Sequence, residues 1–177
     1  GASFISRPGG LLPLACSGPR TLQPIDYSLP VASAQVKSAI LLAGLNTPGK
    51  TIVRESAPTR DHTERMLKQF GSEISIETDE ESQNIITLEG ESELKGQDIF
   101  VPGDPSSAAF PMVAGILTEG SRVEIKNVGI NPLRFGLFEI LNEMGAKTKV
   151  MQKYDGVGEP IADIVVETSE LKGVTVP

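Results

Sequence analysis

Tryptophan is absent from these 177 residues, cysteine and histidine occur once each, and aromatic side chains make up 5% of the chain. Each scarcity removes a class of function. A lone Cys16 cannot close a disulfide or build a thiolate metal site within one chain, and with His62 as the single imidazole most zinc arrangements are out of reach. No metal or other cofactor is expected, and Cys16 reads as an ordinary strand or loop cysteine. Apolar runs are short as well, the longest spanning Ala39 to Leu45, well below the ~18 residues of a membrane-spanning helix. No basic stretch precedes an apolar one near the N-terminus, so a soluble, cytoplasmic protein is expected, with no membrane partner. Basic residues are outnumbered 16 to 23, giving a net charge of −7, and no Lys/Arg cluster carries interleaved aromatics. Nucleic-acid binding is therefore not expected, although a few basic groups can still focus on a small anion. The 39% hydrophobic content is enough for a real core of one large or two small domains.

What is present is repetition. SAQVKSAILLAGLNTPGKTIV, beginning at Ser33, lies over DPSSAAFPMVAGILTEGSRVE 71 positions later, with Ala43-Gly44 over Ala114-Gly115. After about three inserted residues near Asn131-Pro132, DHTERMLKQFG corresponds to GLFEILNEMGA, and SEISIE and NIITLEG to AKTKVM and ADIVVET. Each repeat reads strand, helix, strand, helix, strand, strand, an α/β (α+β) pattern. The first helix of each is apolar nearly all round after its first turn, which predicts enclosure by protein. The second is amphipathic, with Met66, Leu67 and Phe70 on one face in one repeat and Leu133, Leu137, Ile140, Leu141 and Met144 in the other. Gly71 and Gly145 suit C′ caps, and Asp104-Pro105 and Asn131-Pro132 suit N-cap and N1 pairs. Pro111 is expected to kink its helix.

A third echo bears on boundaries. SELKGQDIFVP at 92–102 recurs as SELKGVTVP at 169–177, and the first copy leads straight into Gly103-Asp104 and a helix. A further repeat is thus expected beyond Pro177, and the material before residue 30 reads as the tail strands of an earlier one.

LPVASAQVKSAILLAGLNTPGKT, then APTRDHTERMLKQFG, then FVPGDPSSAAFPMVAGIL with NPLRFGLFEILNEMGA, resembles the 5-enolpyruvylshikimate-3-phosphate synthase family of the bacterial class II type. The resemblance covers nearly the whole chain and is thinnest over residues 1–20. It implies an inside-out α/β barrel of two domains, each of three βαβαββ units, with two of the six units present here. Residues 1–102 would be the last unit of one domain with preceding strands, and residues 103–177 the first main unit of the other. The activity implied is transfer of the enolpyruvyl group of phosphoenolpyruvate to the 5-hydroxyl of shikimate-3-phosphate. The family's acid, base and phosphoenolpyruvate-binding motifs are not found, so no catalytic residue is expected here and the piece alone is expected to be inactive. The remaining units of a parent chain are its implied partners.

A helix whose polar residues gather at its first turn offers unpaired N–H groups and its positive dipole end to an anion. Ser33 and Gln35 are placed for that, and Ser33 could equally be a plain N-cap. The resemblance assigns Ser33, Ala34 and Gln35 to shikimate-3-phosphate, with Gln35 also on the phosphoenolpyruvate side. It places Arg60 near the same ligand. A guanidinium fork suits phosphate or carboxylate, with an ion pair to Asp61 as the competing role. Asp61 could itself cap the next helix, with Glu64 completing the box. His62 reads as a surface or interdomain residue without an identifiable partner, and Lys37 as a solvated or rim lysine. Ser106 and Ser107 repeat the polar N-terminus, but Asp104 opposes an anion there. Two rival readings remain: a UDP-N-acetylglucosamine enolpyruvyl transferase-like piece, and a non-catalytic repeat or interaction module.

Overall fold

In the computed structural model, residues 2–154 and 158–176 are described. The chain is a mixed α/β fold that divides by contacts into two compact units, Gly1–Thr59 with Phe70–Lys95, and Arg60–Gln69 with Gly96–Pro177.

The first unit opens with an antiparallel hairpin, β1 (Ser3–Arg7) and β2 (Leu11–Ser17), whose residues are all exposed, the free Cys16 included. It continues with β3 (Asp26–Ser28), α1 (Ala34–Gly44), β4 (Lys50–Glu55), β5 (Ile74–Thr78) and β6 (Asn84–Glu89). These strands form a sheet in the order β3-β4-β6-β5, parallel between β3 and β4 and antiparallel elsewhere. Along β4 burial alternates, with Thr51, Val53 and Glu55 turned inward, as a strand period of two dictates. Leu41 of α1 joins Val53, Ile86 and Leu88 in the core, each contributing about 1.5–3 kcal/mol by leaving water.

The second unit holds α2 (His62–Gln69), α3 (Pro105–Leu117), β7 (Arg122–Gly129), a 3₁₀ turn at Pro132–Arg134, α4 (Gly136–Glu143), β8 (Lys147–Tyr154) and β9 (Ile161–Glu167). The sheet order is β7-β9-β8, and a parallel bridge between Gly103 and Val128 stands where β3 stands in the first unit. Met112 and Ile116 of α3, Phe138 and Leu141 of α4, and Val128, Ile164 and Val166 form one core.

Gly71 and Gly145 take φ of +89° and +94°, the left-handed geometry expected of C′ positions. Asp104 caps α3 from Ser106 N and Ser107 N, with Pro105 following. Other expectations are corrected. Within this chain α1 and α3 are covered along one stripe only: α1 buries Lys37, Leu41 and Gly44 while Leu42 is 53% exposed, and α3 leaves Phe110 80% exposed. Each helix has one sheet to cover it, so one stripe is buried and the other stays open. Asn131 caps the 3₁₀ turn rather than a long helix, its Oδ1 accepting from Leu133 N at 2.9 Å. α4 starts only at Gly136, after Phe135 leaves helical geometry (φ −103°, ψ 10°) and its ring stacks on Phe138 at 4.5 Å. Pro111 lies inside α3 on its exposed side, where its missing N–H costs the helix one backbone hydrogen bond.

Candidate functional site

The first turn of α1 is built around Ser33. In extended geometry (φ −138°, ψ 107°), its Oγ accepts from Val36 N at 3.4 Å and donates to Gln35 Oε1 at 3.5 Å. Both bonds are long, so the hydroxyl is only loosely committed to the helix. Ser33 and Ala34 are half-buried, Gln35 is exposed, and no acidic residue lies in this turn. The turn therefore presents amides, a hydroxyl and a carboxamide, with no acidic side chain of its own to repel an anion. The N-terminus of α3 is different. Asp104 occupies its amides, and Arg134 Nη2 donates to Asp104 Oδ1 at 2.8 Å and to Ser106 Oγ at 3.0 Å. Those hydrogen bonds hold the Asp104 carboxyl below its usual range, the Ser106 amide foremost. That end is capped by its own side chains.

Lys37 corrects the expectation of a solvated lysine. It is 0% exposed, and its Nζ lies 3.1 Å from Glu55 Oε2 and 3.3 Å from Oε1, donating also to the Thr59 carbonyl at 3.4 Å. Glu55, at the end of β4 and 3% exposed, further accepts from Thr59 Oγ1 at 2.7 Å and Asn84 Nδ2 at 3.3 Å. One signal for this was available: Lys37, Leu41 and Gly44 follow i, i+4, i+7 spacing, which puts the lysine on the sheet-facing stripe. The identity of its partners, 18 and 22 residues away, was not legible.

Arg60 is exposed and belongs to the second unit, whereas Ser33, Ala34 and Gln35 belong to the first. It makes no ion pair with Asp61. That carboxylate is taken by Arg65 Nε at 2.7 Å and by Asn131 Nδ2 at 2.7 Å. His62 does have a partner, contrary to expectation: its Nδ1 lies 2.6 Å from Glu159 Oε1, 97 residues distant, and Asn131 Nδ2 also reaches Glu159 Oε2 at 3.0 Å. Asp61, His62 and Glu159 bring donor atoms within 4.8 Å of one another, the one such grouping among the described residues that could share a cation. Arg65 and Asn131 already occupy the Asp61 oxygens, and His62 and Asn131 those of Glu159. Within this second unit, His62, Met66 and Gln69 of α2 also line a cleft of about 420 Å³ together with Ile99, Phe100 and Val101.

The comparisons with known proteins agree with one another. The family model described as EPSP synthase (3-phosphoshikimate 1-carboxyvinyltransferase) matches residues 1–177. The 3-phosphoshikimate 1-carboxyvinyltransferase of Paramagnetospirillum magneticum is 56% identical over 177 residues, all of this chain and 40% of that protein. That of Parvibaculum lavamentivorans is 55% identical over 100% of this chain and 39% of its own length. Among solved structures, EPSP synthase from Acinetobacter baumannii superposes with a TM-score of 0.86 at 49% identity, covering 100% of this chain and 39% of that one. This α/β fold thus follows the path of part of a solved EPSP synthase. The chain belongs to the EPSP synthase family, and it spans about 40% of the length of the relatives it matches.

Proposed function

We propose that this chain is part of an enzyme that transfers the enolpyruvyl group of phosphoenolpyruvate to the 5-hydroxyl of shikimate-3-phosphate, releasing phosphate. In this reading Ser33, Ala34, Gln35 and Arg60 form part of the wall that binds shikimate-3-phosphate, with Gln35 reaching the phosphoenolpyruvate side. What carries it is the open first turn of α1, free of acidic residues, in a chain matched to the family over residues 1–177. Serine hydroxyl, helix amides and a guanidinium suit a dianionic phosphate, because each bond to a charged acceptor is about twice as strong as a neutral one.

The finer architecture is part of the same proposal. The chain would hold two of six βαβαββ units of an inside-out barrel, with the boundary at Pro102-Gly103 between the last unit of one domain and the first main unit of the other. Sequence repeat assigns α2 to residues 1–102. The reaction needs a base for the hydroxyl, an acid for the methylene carbon and cations for two phosphates. None of the residues named here supplies the acid or base, so the chain alone binds without turnover.

A titration tests this. Amide resonances of residues 32–36 and of Arg60 should move with added shikimate-3-phosphate, less so in Arg60→Ala and in high salt, with no phosphate released from phosphoenolpyruvate. Affinity in the millimolar range or weaker is expected, since each missing charge-assisted contact costs about 1.5–3 kcal/mol. Shifts elsewhere that leave Ser33 and Gln35 unmoved would reduce both residues to structural roles.

A further inference from the structure

We infer that Lys37, balanced by Glu55, is a positioning residue that anchors the first turn of α1 to the sheet of the first unit and so fixes where Ser33, Ala34 and Gln35 stand. The inference rests on the reading above, in which that turn meets shikimate-3-phosphate.

The turn is loosely held by its own cap. The two bonds of the Ser33 hydroxyl are long, at 3.4 and 3.5 Å, and Ser33 and Ala34 are only half-buried. The stripe of α1 that faces the sheet is Lys37, Leu41 and Gly44. Close packing fixes its C-terminal part, where Leu41 is fully buried and a Cβ at Gly44 would already meet Thr51 Oγ1 at 2.9 Å. At the N-terminal end the same stripe carries a lysine. Its backbone N–H donates to the Ser33 carbonyl at 3.1 Å, closing the first turn. Its Nζ lies 3.1 Å from Glu55 Oε2 and donates to the Thr59 carbonyl at 3.4 Å. Glu55 ends β4, and Asn84, its register partner on β6, donates to the carboxylate at 3.3 Å, as Thr59 Oγ1 does at 2.7 Å. All of these residues belong to the first unit. One side chain thus links the Ser33 carbonyl at its root to the β4-β6 pair at its tip. Stability alone does not call for charges here, because an apolar pair of the same volume does as well or better. What the ion pair adds is geometry: it is satisfied only at hydrogen-bonding distance and angle, whereas an apolar contact tolerates sliding. For a binding group that matters, since a misplacement of about 1 Å can cost about a hundredfold.

The test uses the full-length protein, the double variant Lys37→Met with Glu55→Gln, and the double variant Ser33→Ala with Gln35→Ala. It reads Tm and, well below Tm so that stability does not enter, the Kd for shikimate-3-phosphate. The first variant removes both charges at nearly constant volume, and its carboxamide still accepts from Thr59 Oγ1. Its Tm should therefore stay within about 3 °C of the unaltered protein or rise, while its Kd should increase about tenfold. A purely structural pair leaves the Kd within about twofold whatever Tm does, and that result overturns the inference with the substrate reading still standing. If the second variant leaves the Kd unchanged, the substrate reading itself fails and takes the inference with it. Should the first variant not fold, Glu55→Asp, which keeps both charges and draws the carboxylate back by one methylene, is read in the same way: a raised Kd supports the anchor and an unchanged one overturns it.

Discussion

Asn127 is one of three non-glycine residues with positive φ among those described (+55°), and it lies where β7 loses register with β9 between Ile125 and Val128. Such a bulge leaves an unpaired amide that must find a partner. Asp163 of β9 provides it: Oδ1 accepts from Asn127 N at 2.8 Å while Oδ2 lies 3.2 Å from Lys126 Nζ. The Asn127 amide, then Lys126, hold the Asp163 carboxyl below its ordinary range. A depressed folded value means that this stabilisation is complete above the unfolded pKa and is lost as pH falls through the folded one, that is, below about pH 4. Thermal unfolding of the chain and of Asp163→Asn should therefore differ at pH 7, with the gap closing toward pH 2.5. A gap independent of pH would mean that the carboxylate charge plays no part in holding the bulge.

Gly44 and Gly115, equivalent in the two repeats, set how closely α1 and α3 approach their sheets. A Cβ at Gly115 would meet Val123 and Val166 methyls at 2.9 Å, and one at Gly44 would meet Thr51 Oγ1 at 2.9 Å. Alanine gains about 1 kcal/mol of helix propensity over glycine, whereas overpacking costs about 1–3 kcal/mol. The β-branched neighbours cannot rotate away, so Gly115→Ala should be net destabilising by about 1 kcal/mol, read as a lower urea midpoint. A raised midpoint would show that propensity wins and the close approach is dispensable. These elements show what was legible. Except for the opening strand of the second repeat, which is reduced to the Gly103 bridge, the order of helices and strands follows from local chemistry, as do the Gly71, Gly145 and Asp104 caps, and local chemistry is what a sequence prints. Apolar periodicity on α1 and α3 reports that their faces are hydrophobic, and within this chain one sheet covers one stripe of each helix. At the candidate site, Ser33 and Gln35 could be singled out from a helix start. The Lys37–Glu55–Asn84 and His62–Glu159–Asn131 networks could not, since their partners lie 18 to 97 residues apart.

At the scale of the molecule, no helix among the described residues is long and apolar enough to cross a membrane, yet much apolar surface faces water. Val36 and Leu42 of α1, Phe110 and Leu117 of α3, and Phe4, Ile5 and Leu12 of the hairpin are 44–80% exposed. Exposed apolar side chains favour association when molecules approach. Each molecule, however, carries a net charge of −7 and has an isoelectric point near 4.8. Light scattering of the isolated chain should stay low at pH 8 in dilute buffer and climb as pH nears 4.8, and a flat profile would show that the open helix faces are not adhesive. Added salt should act in the same direction at pH 8, since it shortens the reach of that repulsion to about 8 Å at physiological ionic strength. The open faces of α1 and α3 thus make colloidal behaviour a matter of carboxylate count: an exposed Glu→Lys exchange far from any helix would leave the fold alone and still bring the chain closer to precipitation.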